Sequence, residues 1–109
     1  MSGAIEKVTA HWRQVATRRK VHVPEWGVDV WYRPPNIAER IRLEKVLNEK
    51  GDHAAAVEAV LLLAQDEAGN RLFSDGERPE LMREADPDVI VRLAGMMMSP
   101  PDPEEIEKN

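Results

Sequence analysis

The side chains of this sequence that could do chemistry are its three histidines and its many carboxylates. His11, His22 and His53 fall on three different predicted elements, so no helical or hairpin spacing brings them together as metal ligands. The carboxylates are scattered, and none stands out as a general acid or base. The sequence also has no paired-glycine phosphate loop, no Gly-x-Ser-x-Gly elbow and no His-Glu-x-x-His helix. We therefore expect a protein that is not an enzyme and that uses no metal ion or cofactor.

Cysteine usage and hydropathy indicate the compartment. The sequence has no cysteine, which excludes disulfides and thiolate-zinc sites and fits a reducing compartment. Its longest apolar stretch, residues 57–64, is interrupted by Glu58 and is far shorter than the roughly 20 residues that span a bilayer. Residues 1–20 contain no apolar run that could serve as the core of a signal peptide. These features predict a cytoplasmic protein without a membrane segment.

Charge divides the chain into a basic arm and an acidic body. Residues 1–20 carry five basic side chains and one acidic side chain, whereas the rest of the chain carries ten basic and nineteen acidic ones. An acidic body repels phosphate backbones, so nucleic-acid binding is disfavoured. The arm is either a solvated terminal segment or a contact for an acidic partner. Its apolar residues fall at helical spacing, so it could form an amphipathic helix: Ile5, Val8, Trp12, Val15 and Ala16.

Alternating apolar residues on either side of a turn predict a β-hairpin over residues 21–33. Gly27 supplies the unusual backbone dihedral of the turn. Val30 and Tyr32 share one face of the second strand, which places Trp31 on the opposite face. Two strands alone are marginally stable, so helices must cover one face of this hairpin.

Capping signals and apolar periodicity predict the helices that follow the hairpin. Asn36 and Glu39 have the spacing of a capping box, and Asp86 before a proline marks the start of the last helix. A nearly all-apolar helix, in which only Glu58 is charged, belongs in the middle of the core. The predicted helices cover about residues 37–49, 53–65, 79–85 and 87–98.

These elements predict an α+β fold that is mainly α, in which a small N-terminal β-hairpin packs with a bundle of about four to five helices. Residues 1–20 are expected to be the basic arm, and residues 21–98 a single globular domain. Residues 99–109 are expected to be a disordered acidic tail, because their apolar surface is too small to offset the entropy of ordering them.

Several large apolar side chains are candidates for protein binding. Tryptophan at the hairpin tip and on the second strand is suggestive because interface hot spots are enriched in tryptophan. Three consecutive methionines can mould to varied partners, although filling gaps in the core is the other interpretation. The helix over residues 37–49 has two apolar patches, typical of a helix that touches two neighbours, either in its own bundle or in another subunit. The candidate protein-binding residues are Trp26, Trp31, Leu43, Leu47, Met96, Met97 and Met98.

Three segments of the sequence follow one another in a recognisable order. The first is Val-His-Val-Pro-Glu-Trp-Gly at residues 21–27 with the strand at 28–33, and the second is the Ala-Glu-Arg helix start at 38–40. The third is Asp-Glu-Ala-Gly-Asn-Arg-Leu-Phe-Ser-Asp at residues 66–75. In this order the three segments resemble the tail assembly chaperones of long-tailed bacteriophages and prophages. The similarity covers about residues 20–98 and departs from the usual pattern at residues 76–79 and in the basic arm.

The resemblance implies a non-catalytic protein that is made in the host bacterial cytoplasm during virus assembly and is absent from the mature virion. It implies that the protein binds the long tape measure protein, keeps it soluble, and helps to recruit tail tube subunits to it. A hairpin edge and spare apolar faces also predict self-association into a homo-oligomer.

Two other functions stay open on the sequence alone. A small DNA- or RNA-associated regulator would use residues 13–20 as its contact, and its binding would weaken steeply as the salt concentration rises. A phage structural adaptor would share the predicted fold but would remain in the finished particle.

Overall fold

The computed structural model describes residues 3–99, and within them it contains five α-helices and one two-stranded sheet. In chain order the elements are α1 (Gly3–Val15), β1 (Arg19–Val23), β2 (Val28–Tyr32), α2 (Ile37–Lys50), α3 (Asp52–Leu63), α4 (Arg78–Glu84) and α5 (Pro87–Met98). The predicted fold class, α+β and mainly α, is confirmed. All but the first residue of the predicted acidic tail lie outside the described residues.

β1 and β2 form the predicted antiparallel hairpin, in which Val23 is paired with Val28. Gly27, with a φ of 65°, closes the turn by donating its backbone N–H to the carbonyl oxygen of Val23 at 2.9 Å. Val30 and Tyr32 are buried in the core together with Val23. The hairpin therefore covers one side of the helical bundle with its apolar face.

The loop after α3 joins the end of that helix to the hairpin. The Trp31 N–H donates to the carbonyl oxygen of Gln65 at 2.9 Å, and the Gln65 N–H donates back to the Trp31 carbonyl oxygen at 2.7 Å. Arg71 donates two hydrogen bonds to the carbonyl oxygen of Leu61, at 2.9 and 2.7 Å. These bonds satisfy a carbonyl group in the last turn of α3. The segment at residues 66–75, which carries much of the family resemblance, is thus a structural connector.

The two helix caps predicted from the sequence are present. The Asn36 side-chain oxygen accepts a hydrogen bond from the Glu39 N–H, and the Glu39 carboxylate accepts one from the Asn36 N–H, both at 2.9 Å. The Asp86 carboxylate accepts a hydrogen bond from the Asp88 N–H at 2.9 Å. Each cap satisfies backbone donors that the first turn of a helix leaves open.

Several helix boundaries differ from the predicted ones by one or two residues, and two of these differences have local reasons. α3 ends at Leu63, two residues early, because Gln65 takes part in the backbone pairing with the hairpin. α4 begins at Arg78, directly after a single 3-10 turn over Asp75–Glu77.

α3 lies at the centre of the bundle and packs against α2, α4 and α5. Glu58 of this helix is only 4% exposed. Its carboxylate lies between Arg42 of α2, at 2.6 Å, and Arg78 of α4. Burial alone would raise the pKa of Glu58, but the hydrogen bonds and charges of Arg78 and Arg42 outweigh it and hold that pKa below its usual value. One buried carboxylate and two partly exposed arginines thus tie three helices together.

Removing both arginine charges should destabilise the fold, because the buried Glu58 carboxylate is then left without a cation beside it. We expect Arg42→Gln/Arg78→Gln to lower the free energy of unfolding in urea by about 3–5 kcal/mol. Adding Glu58→Gln should restore part of that loss, since no buried charge then remains. Arg92→Gln, which breaks an exposed ion pair, is the control and should have a much smaller effect. A double variant as stable as the parent would contradict the proposed importance of the cluster.

The same cluster predicts sensitivity to acid. Because the pKa of Glu58 is lower in the folded chain than its ordinary value of 4.5, the ionised carboxylate stabilises the fold above that value, and this stabilisation is lost as the pH falls through the folded pKa. We expect the urea midpoint of the parent to decline below about pH 5 and that of Glu58→Gln to decline less steeply. Urea curves at several pH values test this. Parallel declines in the two proteins would be the contrary result.

Candidate protein-binding surfaces

The structure separates the aliphatic candidates into core and surface positions. Leu43 is 4% exposed and Met97 is fully buried, so both pack mainly in the core. Leu47 and Met96 are each 41% exposed, and Met98 is partly buried. Met97 faces inward because it continues the apolar stripe of α5, and successive helical residues point about 100° apart, which turns Met96 outward.

An apolar groove of about 280 Å³ lies between α2, α3 and α5. Leu47 of α2 lines it together with Val91 and Met98 of α5. Its base is formed by buried alanines of α3, Ala56 and Ala59, whose small side chains leave the space between the outer helices unfilled. Glu44 and Asp52 are exposed acidic residues at its margin, and Leu43 also contributes to its lining. The structure therefore brings together three of the predicted site residues, Leu43, Leu47 and Met98.

Trp26 occupies a different surface, between the hairpin turn and α4. Its ring packs edge-to-face against Phe73, with centroids 5.9 Å apart and an interplanar angle of 86°. This aromatic pair, with Leu72 and Leu81, lines a cleft of about 360 Å³. We refer to it as the aromatic cleft. Phe73 is not among the residues that the sequence singles out for binding, because nothing in a single sequence pairs it with the distant hairpin turn.

The turn beside Trp26 is fixed to the last helix by an ion pair. Arg92 of α5 donates hydrogen bonds to both carboxylate oxygens of Glu25, at 2.6 and 2.8 Å. The hydrogen bond from Arg92 is the main reason that the pKa of Glu25 is lowered to about 2. The pair therefore keeps its charges throughout the physiological pH range.

Trp31 is covered by basic residues of its own chain. The Arg18 guanidinium lies 4.9 Å from the centroid of the Trp31 ring, and the Lys20 ammonium lies 5.6 Å from it. Arg18 also donates hydrogen bonds to the backbone carbonyls of Asp66, at 2.6 Å, and Glu67, at 3.0 Å. The charged end of the arm therefore has an intramolecular role, and Trp31 lies outside both the groove and the aromatic cleft.

The described residues hold neither a metal cluster nor a membrane-spanning helix. Across residues 3–99, no three histidine, aspartate or glutamate side chains lie close enough together to hold a metal ion. The His22 Nδ1 atom lies 2.8 Å from an oxygen of Asp29 across the hairpin, and this contact involves no third ligand. None of the described helices has the length and hydropathy needed to cross a bilayer.

Comparison with known proteins shows that this fold occurs in a phage protein. The chain superposes on the structure of the tail assembly chaperone of bacteriophage HK97 with a TM-score of 0.56, over 81% of this chain and 94% of that chain, at 24% sequence identity. No protein-family model matches the sequence, and no curated protein matches it. The fold of that protein is the one that the resemblance carried by residues 20–98 implies. The fold implied by the resemblance is thereby confirmed.

Truncation should distinguish core candidates from surface candidates. We expect Leu43→Ala and Met97→Ala each to lower the free energy of unfolding by about 2–5 kcal/mol, because each leaves a cavity in the core. Leu47→Ala and Met96→Ala remove side chains that are already partly in water, so each should cost less than about 1 kcal/mol. Urea unfolding followed by tryptophan fluorescence measures all four. Equal losses at buried and exposed positions would contradict this assignment.

Proposed function

We propose that this protein is a phage tail assembly chaperone that acts by binding other proteins and has no catalytic activity. The observation that carries the proposal is the fold shared with the HK97 tail assembly chaperone over nearly the whole of that protein. The motifs at residues 21–40 and 66–75 support it independently, since they lead to the same family from the sequence.

The proposed client is the tape measure protein, and the proposed contact is the groove between α2, α3 and α5. The groove is apolar and open to solvent, with Leu47, Val91 and Met98 along it. Such a surface fits the apolar face of an amphipathic helix, which docks through residues one turn apart. Glu44 and Asp52 at its margin favour clients with basic residues beside their apolar ones.

The acidic body suits this role because a protein that binds the exposed apolar surface of a client must itself stay soluble. The formal net charge of the chain is −5, and all of the acidic excess lies outside residues 1–20, which are themselves basic. Net charge away from zero opposes aggregation of a protein with exposed apolar patches. Affinity then comes from buried apolar area and solubility from charge.

The proposal extends to place and timing. The protein would act in the cytoplasm of the host bacterium, bring tail tube subunits to the coated tape measure protein, and leave before the virion is complete. Mass spectrometry of purified particles tests the last point, because a structural adaptor would be found in them and a chaperone would not.

Co-expression with the tape measure protein encoded by the same phage or prophage is the direct test. We expect the soluble fraction of that long protein to rise several-fold with the parent chain. Leu47→Ser/Val91→Ser should lose most of this gain, because both substitutions make the groove polar while leaving the core intact. The measurement is the ratio of soluble to total tape measure protein.

A matched control separates the groove from general surface hydrophobicity. Ile41→Ser/Met82→Ser makes the same kind of change at two exposed apolar positions that do not line the groove. It should solubilise the client as well as the parent does. A parent chain that leaves the solubility unchanged would refute the proposed function, whereas equal failure of both double variants would refute only the groove as its site.

A further inference from the structure

The two outer edges of the hairpin differ, because one is covered and the other is open. Trp31 of β2 turns its backbone N–H and C=O groups away from β1 and bonds both of them to Gln65. Gln65 therefore covers the outer edge of β2. Within residues 3–99, β2 is the only strand that pairs with β1. The outer edge of β1, which we call the open edge, has no strand beside it in the described chain.

The register of the hairpin identifies the backbone groups at the open edge. Lys20 is paired with Trp31, whose backbone groups face away from β1, so the Lys20 N–H and C=O groups face away from β2. Because successive residues of a strand alternate in direction, the same holds for His22. Neither residue has a backbone hydrogen bond to another segment of the described chain. The open edge therefore presents two donors and two acceptors at the spacing of an incoming strand.

The start of β1 is a run of three cations without carboxylate partners. Arg19 and Lys20 begin the strand directly after Arg18, and none of the three belongs to an ion pair formed by residues 3–99. Arg18 and Lys20 lie over the ring of Trp31, which attracts their charges without neutralising them. Both side chains are exposed. They are therefore available to carboxylates from outside this part of the chain.

The two faces of β1 determine which side chains suit a strand at the open edge. Lys20 lies on the outer face of the hairpin, with Arg18 beside it over the Trp31 ring. Val21 lies on the opposite face, is partly buried and packs against the core. A neighbouring strand places its side chains alternately beside these two faces. A strand that fits the open edge therefore alternates acidic and apolar residues.

We propose that the open edge of β1 binds an extended segment of a partner protein in which acidic and apolar residues alternate. The segment would add to the hairpin as a third strand, and its backbone would pair with the N–H and C=O groups of Lys20 and His22. Its carboxylates would lie beside Lys20 and Arg18, and its apolar side chains beside Val21. This interaction does not depend on the proposed chaperone function, because it uses no residue that lines the groove.

A second copy of the chain fits this edge less well than an acidic strand. Edge-to-edge pairing of two copies would bring two sets of the cations at residues 18–20 to one small sheet, where like charges oppose pairing. Lysine on an edge strand is a common protection against pairing between identical chains. The same charges attract an acidic strand, so they favour that partner over a second copy.

Peptide titration followed by NMR of the backbone amides tests the proposal. The probe is a peptide of about seven residues in which glutamate and valine alternate, with both ends blocked, to match the length of a short strand. The control peptide has lysine in place of each glutamate. We expect the acidic peptide to shift the amide signals of Lys20 and His22 and to slow their exchange with solvent. The amide of Val21 already faces β2 and should gain no protection, and the lysine peptide should change none of the three.

Matched substitutions separate the charge from the backbone pairing. Lys20→Glu should weaken binding of the acidic peptide several-fold and should allow the lysine peptide to bind. Lys45→Glu makes the same charge change at an exposed site of α2 and should bind like the parent. His22→Pro removes a donor from the open edge without removing a bond between β1 and β2, and it should weaken binding by roughly threefold to tenfold. His22→Ala keeps that donor, loses the same contact with Asp29, and should bind like the parent.

Several outcomes would overturn the proposal. Equal binding of the two peptides would exclude recognition by charge, and signal shifts confined to the groove would exclude the open edge. Protection of the Lys20 and His22 amides without peptide would also count against it. If that protection grows with protein concentration, a second copy covers the edge, and if it is constant, another part of the same chain does. Failure of the acidic peptide to bind would refute this interaction alone, because the co-expression test does not involve the open edge.

Discussion

A single buried carboxylate constrains how the helices of this protein sit against one another. Glu58 lies in the middle of α3, and taking a carboxylate out of water costs several kcal/mol unless cations and hydrogen-bond donors replace the water. Arg42 and Arg78 supply both from two different neighbouring helices, so α2 and α4 must each present an arginine to the same point of α3. An apolar residue at this position would fill the space without selecting one register among helices that could otherwise slide past one another.

This arrangement decides which apolar residues stay outside the core. α3 fills the centre, so α2 and α5 meet it from different sides and each keeps an outer apolar edge. The α3 residues that face Leu47 and Val91 are alanines, and their small side chains do not fill the space between α2 and α5. A groove therefore remains between these two outer helices. Where the hairpin turn meets α4, Trp26 and Phe73 pack against each other and against the core but stay partly exposed, and the aromatic cleft remains. Both surfaces follow from how the core is filled.

Local signals in the sequence were sufficient to predict the helices and the hairpin, but not the contacts between residues that are distant in the sequence. The Asn36 and Asp86 caps and the Gly27 turn depend on residues within a few positions of one another, and each is present as predicted. The partners of Glu58 and the cover of Trp31 come from elsewhere in the chain, so no spacing rule could identify them. The candidate site was only partly predictable for the same reason. That a residue is a leucine or a methionine does not tell whether it faces the core or the surface of the bundle.

The size of the groove has a consequence for how the proposed chaperone would bind its client. At about 280 Å³ it accepts only a few apolar side chains, so we expect one copy to cover a short part of the proposed client and to bind it weakly. A long client therefore has to be covered by many copies. When several copies bind neighbouring parts of one client, each weak contact raises the local concentration of the next groove, and avidity replaces single-site affinity. Because every individual contact stays weak, the same assembly can be displaced stepwise when another protein competes for the client.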